Sequence, residues 1–550
     1  MEHSALHALQ LSGLIVALGG AFFILALLGP AQRRLGIGAA DAFGQRWSTT
    51  SARWVFGGAL AAGVGTLCDL FVQVAEVRGE TIFAGVDFAL VVRFALHTSV
   101  GRLCLARAGL LLLTAAAARL PSPRKWPVIA VLAAAAVVCT SLVSHAAAQP
   151  TARLPAITSQ IAHIGAASLW VGVLMHLLAA RGQMATVTAT AHVALLSEIV
   201  RRFSPLALTA VLLMTASGLY AAVRNLATPD ALLTSAYGLT LGVKLALLAP
   251  ALFAGFVNFR VVRPALTRVL KSPDASTIVT AAEPVLRRLG RMLELEVTAG
   301  LLVITVAGIV GSVSPPGEDG SQRLTPVQVR ALLSPDLPST VFVDPNSFVG
   351  STGDRPIEDL RYSEFTHNWS GVFVCVLGLF WLLQSRAGGV GFAGRAWPFL
   401  LLPFAGFIAV FADADVWLVP NNSFWSAVGD PVIFEHQLGG VMVLLMAWLG
   451  WRDRKRPAAE RPLGYALPAI MIVGSVLLLG HAHSSLRVTD ELTNLINVQH
   501  AVLGGLGLLA GTTRWFSLRG LLPQRLARVV WPSLVIGVGL FMAFCYREVI

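Results

Sequence analysis

Histidines are the residues of this chain best suited to chemistry, and several of them lie in two similar hairpins. His145 leaves one apolar segment and His163 lies in the next, within SHAAAQPTARLPAITSQIAHIGAASLWVG. His481 and His483 leave a later apolar segment, and His500 enters the one after it. A polar side chain at a membrane boundary is costly to bury without a partner, and imidazole is a common ligand of transition metals. The sequence therefore predicts two hairpins in which facing imidazoles hold a metal.

A second pattern places glycine one helical turn after a histidine in the later half of the chain. Three histidines begin apolar segments, and each has glycine at i+4: His367, His436 and His500, followed by Gly371, Gly440 and Gly504. On a helix such a glycine lies on the same face as the ring. It leaves room either for a flat ligand or for a neighbouring helix packed through small residues. Both interpretations stay open at this point.

The complete set of predicted metal ligands follows from where the twelve histidines fall on the expected topology. All but His176 and His192 are expected near one membrane face, as suits metal capture or haem ligation at that face. The predicted ligands are His7, His145, His163, His367, His436, His481, His483 and His500. A lone histidine at a helix end is more often a hydrogen-bonded interfacial residue, which is the expectation for His3 and His97.

The composition predicts an all-α polytopic membrane protein. Hydrophobic residues make up 55% of the 550 residues and charged residues 13%, which excludes an ordinary soluble globule. About fourteen apolar runs are each long enough to cross a hydrocarbon layer of roughly 30 Å. The expected domains are an eight-span block over 1–316, a periplasmic loop or small cap over 317–366, and a six-span block over 367–550. The pair Thr325-Pro326 predicts the start of a short helix within that loop.

The net charge of +12 sets topology and does not indicate nucleic-acid binding. Arginine and lysine concentrate in alternate loops, with the segment 259–292 the most basic of them and expected to hold a surface helix. This alternation follows the positive-inside rule and places both termini outside, on the periplasmic side of a bacterial inner membrane. The first run lacks the features of a cleaved signal peptide and is expected to be a retained span.

The remaining polar residues favour a transporter or metal-binding protein over an enzyme. No phosphate loop, nucleophile elbow, HExxH motif or dinucleotide fingerprint occurs. The five cysteines are scattered singly, which indicates neither a disulfide framework nor a thiolate zinc site. Asp69 is a candidate to orient a metal-bound ligand. Asp413 and Asp415, in FADADVW, are expected to be solvated, with cation binding as the alternative.

Four elements of the first block resemble the CopD family of copper-resistance inner-membrane proteins. They are the element from His163 to Trp170, the segment Ser217-Gly218 with Tyr220, the helix around Lys244, and Glu296 with Gly300 and Thr305. The resemblance covers roughly 1–316 and is strongest over 140–316. It implies copper handling at the cytoplasmic membrane, often beside a periplasmic copper-binding partner, with His145 and His163 as copper-linked residues. The six later spans lie outside it.

Two functions therefore remain open from the sequence. In the first, histidines at the periplasmic face bind copper ions for transport, homeostasis and copper tolerance. In the second, pairs of histidines on neighbouring helices ligate haem b in a redox or haem-handling protein. The lipid bilayer is an expected partner in both cases.

Overall fold

The computed structural model shows a protein built from helices. It describes residues 2–38, 41–78, 87–144, 147, 152–179, 190–317, 321–351, 354–386, 392–419, 423–428, 430–454, 462–480 and 490–550. Within these ranges the secondary structure is helical and no strand occurs. The predicted all-α fold is confirmed.

The membrane-spanning helices follow the apolar runs of the sequence. In the described part of the chain twelve helices are long and apolar enough to span: His3–Leu35, Ala42–Ala75, Ser99–Ala118, Lys125–Leu142, Arg153–Ala179, Thr190–Asn225, Ala236–Val269, Ala275–Val310, Ile357–Ser385, Val432–Asp453, Asp490–Leu518 and Gln524–Phe544. Two further predicted runs correspond to the shorter apolar helices Arg395–Phe411 and Ala466–Gly480. The chain is thus a multi-pass membrane protein.

The helices fall into two compact units. The N-terminal unit comprises residues 2–225 and 244–312, and the C-terminal unit comprises 226–243 and 313–550. The N-terminal unit contains, in chain order, α1 Glu2–Phe22, α2 Gly29–Leu35, α3 Ala42–Arg78, α4 Phe88–His97, α5 Ser99–Ala118, α6 Lys125–Leu142, α7 Arg153–Ala167, α8 Val173–Ala179, α9 Thr190–Asn225, α12 Arg263–Val269 and α13 Ala275–Val310. The helix α10 Ala231–Thr234 belongs to the C-terminal unit, and α11 Ala236–Val257 has residues in both ranges.

Three membrane helices of the N-terminal unit contain π-helical turns. They are π1 Phe23–Leu28, π2 Ser168–Gly172 and π3 Asn258–Val262, each continuous with α-helix on both sides. π-Helical turns are rare and occur frequently at functional sites. The third one lies in the basic segment 259–292. The surface helix expected in that segment does not form. The helix of the preceding span extends into the segment and ends at Val269, and the helix of the following span begins at Ala275.

Glycine allows the first helix to approach π2 closely. A Cβ built on Gly19 would lie 2.5 Å from the Cα of Gly172, and one built on Gly172 would meet the carbonyl oxygen of Ile15. In a membrane, where helices gain little from hydrophobic burial against each other, such small-residue contacts bring backbones into van der Waals range. This packing fixes α1 against the helix that carries Trp170.

The C-terminal unit has its own helices and its own aromatic core. Its further helices are α14 Pro326–Leu332, α15 Ile357–Arg386, α16 Phe392–Phe411, α17 Ala414–Trp417, α18 Phe424–Ala427, α19 Pro431–Asp453, α20 Ala466–Gly480, α21 Asp490–Leu518 and α22 Gln524–Phe544. Buried Trp381 lies between Trp397 and Trp531, with ring centroids 5.5 and 5.1 Å away. These rings join α15, α16 and α22 at one end of the unit.

The segment before α15 is ordered against the same unit. Thr325 accepts a hydrogen bond from the backbone of Gln328, and the Gln328 side chain accepts one from Thr325 N–H, forming a capping box with Pro326 as the first helical residue. The helix start predicted at Thr325-Pro326 is confirmed. Leu324 and Leu332 pack on α21 through Leu495 and Val498.

Candidate metal site

Three of the predicted histidines converge in the C-terminal unit. His367 on α15 has its ring centroid 6.3 Å from that of His436 on α19 and 6.0 Å from that of His500 on α21. Each ring comes from a different membrane helix. His500 is buried with 3% of its surface exposed, whereas the side chain of His436 is 26% exposed. The cluster is therefore accessible from the side of His436.

In two of these rings, Nδ1 forms a hydrogen bond to an oxygen atom outside the cluster. His367 Nδ1 lies 2.8 Å from the carbonyl oxygen of Ser363. His436 Nδ1 lies 2.7 Å from Oδ1 of Asp413. Because both acceptors are oxygens without a proton to give, Nδ1 must donate in each ring. In the neutral rings the lone pair is then on Nε2, which is the arrangement that outer-shell partners impose on metal-binding histidines.

The separation of the rings is close to what a shared ion requires. A metal bound through Nε2 at roughly 2.0 Å lies about 3 Å from the ring centroid, so two rings on one ion have centroids at most about 6 Å apart. The observed values of 6.0 and 6.3 Å lie at that limit. Over the described ranges no group of three His, Cys, Asp or Glu side chains is close enough to hold a metal without rearrangement. A trigonal site would require the rings to close by roughly 1 Å.

A buried tyrosine packs against one ring of the cluster. The ring of Tyr546, which follows α22, stacks on His367 at 4.1 Å between centroids and 8° between planes. Its hydroxyl donates to Oε1 of Glu548 at 2.8 Å, and the same oxygen accepts from Ser363 Oγ at 2.6 Å. Ser363 thus links Glu548 to the carbonyl that orients His367. No sequence pattern indicated Tyr546, because it is far from His367 along the chain.

The charge of Glu548 is balanced by one arginine. Arg355 Nη1 lies 3.4 Å from Glu548 Oε2, and Arg355 also forms two hydrogen bonds to Asp359. Burial raises the pKa of the Glu548 carboxyl, and the nearby guanidinium opposes this shift. The resulting network holds the residues after α22 beneath the histidine cluster.

The glycines at i+4 of the histidines serve helix packing. A Cβ on Gly371 would collide with the backbone of Ala543 and one on Gly504 would lie 2.8 Å from Leu479 Cγ. At Gly440 the Ile408 side chain is 3.3 Å away. Neighbouring helices therefore fill the space that a flat macrocycle would need at these positions. Of the two interpretations of this pattern, small-residue packing is the one that applies.

Asp413 corrects an expectation from the sequence. It was expected to be solvated, yet its side chain is only 8% exposed and bonds to His436. Its second oxygen, Oδ2, is buried and has no hydrogen-bond partner in the described structure. The aspartate at the end of the α16 segment is thus a partner of the candidate site. Sequence proximity could not reveal this, since the loop between α16 and α19 brings the two residues together.

The predicted hairpin pairs involve residues outside the described part of the chain. His145, His481 and His483 lie there, so their pairing with His163 and His500 remains a prediction. His163 Nδ1 lies 2.8 Å from Ser217 Oγ. Because that hydroxyl gives its proton to the carbonyl of Leu213, it accepts from His163.

The surroundings of His163 include a basic side chain that can carry a positive charge. Lys244 of α11 lies close enough to interact electrostatically with its ring. A neighbouring ammonium opposes the binding of a metal cation to the imidazole. The residue with the strongest family resemblance is therefore in a less favourable electrostatic setting than His436, which faces an aspartate.

A second histidine pair lies in the N-terminal unit. His7, one of the predicted ligands, has its ring centroid 6.2 Å from that of His3, which was expected to be an isolated residue. His3 Nδ1 lies 2.8 Å from Oδ1 of Asp69, and Gln73 donates to the other carboxylate oxygen. Asp69 thus contacts His3, and its predicted role beside a metal-bound ligand stays a prediction. Their spacing of four residues, which puts them on one helix face, is the sequence signal that could have indicated this pair.

Comparison with known proteins identifies two matched regions. Residues 3–154 match the family described as "Copper resistance protein D-like, N-terminal domain", and residues 197–310 match the family described as "Copper resistance protein D". Both matched regions end before residue 311, so the candidate site of the C-terminal unit lies outside them. Neither a curated protein nor a solved structure matches the chain.

Proposed function

Since residues 3–154 and 197–310 place this chain in the copper resistance protein D family, we propose that it binds copper as cargo and contributes to copper transport and tolerance. The binding site proposed for this cargo is the cluster of His367, His436 and His500. Imidazole nitrogen suits both Cu(I) and Cu(II), and this cluster combines three imidazole rings from three helices.

The single observation that carries this proposal is the orientation of the rings. His436 and His367 each use Nδ1 for an oxygen acceptor, which places the lone pair of the neutral ring on Nε2, the atom through which each ring would bind an ion. The carboxylate of Asp413 also supplies a negative charge beside a ring that is partly exposed. These features attract a cation and pre-organise its ligands.

The cellular setting proposed is a bacterial inner membrane with the histidines at the periplasmic face. Support comes from the alternation of basic and non-basic loops, which predicts periplasmic termini and a periplasmic start for α15, α19 and α21. Copper entering the cluster would then come from the periplasm, where a copper-binding protein is a suitable donor. The pair formed by His3 and His7 is proposed as a separate, weaker copper-binding position of the N-terminal unit.

The test is copper binding by the purified full-length protein and by alanine variants of the cluster. His367→Ala, His436→Ala and His500→Ala are expected to lower bound copper and to reduce copper tolerance of cells that depend on the protein. His97→Ala, which changes an exposed histidine outside the cluster, is the matched control and should leave both unchanged. Unaltered copper content in all three cluster variants would refute the site. A haem absorption band in the purified protein would favour the haem alternative.

A further inference from the structure

Glu296 is a carboxylic side chain buried within a membrane-spanning helix. It lies on α13 and is 3% exposed. A charged group at such a position is expensive to bury, so ionisable residues inside spans usually mark ion or proton pathways. The proposed copper site does not use Glu296, which belongs to the other unit.

The carboxyl group is held by two neutral donors. Trp170 Nε1 donates to Oε1 at 2.7 Å, and Asn258 Nδ2 donates to Oε2 at 3.2 Å. The titratable or charged groups on α13 and on the elements packed against it are His3, His7, His176, His192, Glu198, Arg201, Arg202, Tyr220, Arg224, Arg260, Arg263, Arg268, Glu283, Arg287, Arg288, Arg291 and Glu294. None of these described groups forms a hydrogen bond or ion pair with Glu296. Among the described groups the negative charge of Glu296 therefore has no counter-ion.

The side-chain amide of Asn258 can form a hydrogen bond with Glu296 in both protonation states of the carboxyl. As a carboxylate, Glu296 accepts from Trp170 and from the Asn258 NH₂ group. As an acid it needs an acceptor for its own proton, and Asn258 Oδ1 is buried without a hydrogen-bond partner in the described structure. Rotating the amide by half a turn presents that oxygen to Glu296. The pair can thus exchange a donor for an acceptor without moving the backbone.

Backbone features on both sides of Glu296 favour local adjustment. Trp170 lies within π2, and Asn258 is the first residue of π3. One turn before Asn258, Gly255 leaves space beside the carboxyl, since a Cβ there would lie 3.1 Å from Oε1. π-Helical turns mark places where a helix departs from its regular register. Both hydrogen-bond partners of the Glu296 carboxyl, Trp170 and Asn258, therefore lie in π-helical turns.

We propose that Glu296 is a proton-binding site, which takes up and releases a proton inside the N-terminal unit with Asn258 as the amide that accommodates either state. The step is an acid–base exchange: the carboxylate gains H⁺ to form the acid, and the acid returns H⁺ to water or to another carrier. Coupling of this proton to copper movement would rest on the proposed function, whereas the proton site itself does not.

The test is infrared spectroscopy of the full-length protein in lipid, recorded without copper over the pH range in which it stays folded. The difference spectrum between the wild type and Glu296→Gln, in which the band of the buried Glu548 cancels, is expected to show the C=O stretching band of a buried carboxylic acid that disappears as pH rises. Glu296→Gln should lack this band at every pH, and the neighbouring variant Glu294→Gln should keep it. A band that persists at every pH, or one that is absent at every pH, would overturn the proposal. Because copper is absent, failure here is distinct from failure of the copper site.

A second variant tests the site even if Glu296→Gln fails to fold. Trp170→Phe removes one donor that stabilises the carboxylate and keeps an aromatic ring in the same space. The midpoint at which the acid band disappears should move upward by about one pH unit or more, because a hydrogen bond to a charged group is lost. A midpoint unchanged from the wild type would show that the titrating group is not the one held by Trp170.

Discussion

Asp413→Asn tests whether the carboxylate beside His436 prepares that ring to bind copper. Asp413 Oδ1 accepts from His436 Nδ1 at 2.7 Å, and the aspartate is largely buried. Asparagine keeps the size of the side chain and one carbonyl oxygen but removes the negative charge. The substitution should leave the helices in place while weakening the hydrogen bond and the attraction for a cation.

The size of the effect follows from the role of the contact. Loss of an outer-shell partner typically lowers metal affinity by about 10- to 100-fold, which corresponds to about 1.4–2.8 kcal/mol. The upper part of this range is expected here, because the second oxygen of Asp413 is buried and its charge is weakly screened by water. Asp415→Asn removes the same charge two residues away and serves as the matched control.

Competition for Cu(I) against a chromophoric chelator measures the affinity of each variant in lipid nanodiscs. Asp413→Asn should release copper at a chelator concentration well below that needed for the wild type, with Asp415→Asn close to the wild type. Equal affinities for Asp413→Asn and the wild type, with both proteins folded, would refute the inference that this carboxylate prepares a metal ligand. An equal loss in both variants would indicate a general effect of charge.

Other predictions concern stability. Arg355→Ala leaves the buried Glu548 without its cation and should lower the free energy of unfolding by about 3–5 kcal/mol. Arg287→Ala breaks an exposed pair and should lower it by about 0–1 kcal/mol. Denaturation in mixed micelles compares the two variants. Burial raises the pKa of the Glu548 carboxyl. The stability that the protonated carboxyl contributes is therefore complete below the ordinary glutamate pKa of about 4.3 and is lost as pH rises through the folded-state pKa. Glu548→Gln should flatten this pH dependence in the same assay. Gly19→Ala places a methyl group against the backbone of another helix and should lower the free energy of unfolding by about 1–3 kcal/mol. Gly57→Ala, where the space is open, should be tolerated. Equal effects of the two variants would contradict the close approach of α1 to π2.

The sequence predicted the helices better than it predicted the partners of the histidines. Hydropathy located the spans, because a bilayer requires long apolar helices whatever their neighbours are. The cap at Thr325 was also predictable, since its two partners are three residues apart. Asp413 and Tyr546 were not, because each reaches its histidine through the packing of separate helices.

The same distinction applies to Glu296. Its place in a family-like motif was visible in the sequence, but Trp170 is 126 residues away along the chain. Only the packing of α13 against π2 brings the indole to the carboxyl. Local rules of sequence therefore indicate which residues are unusual, and the fold decides which of them meet.

The position of Tyr546 beneath His367 also sets an order of events during synthesis. The ribosome adds about 5–20 residues per second, so the tyrosine is made roughly 10–40 s after the histidine on which it stacks. His436 emerges early in that interval, whereas His500 is added late, with α22 still to follow. A nascent chain thus inserts its first two rings long before their neighbours exist. The stack of Tyr546 on His367 can form only after α22 has been made, so the histidine cluster gains this support late in synthesis.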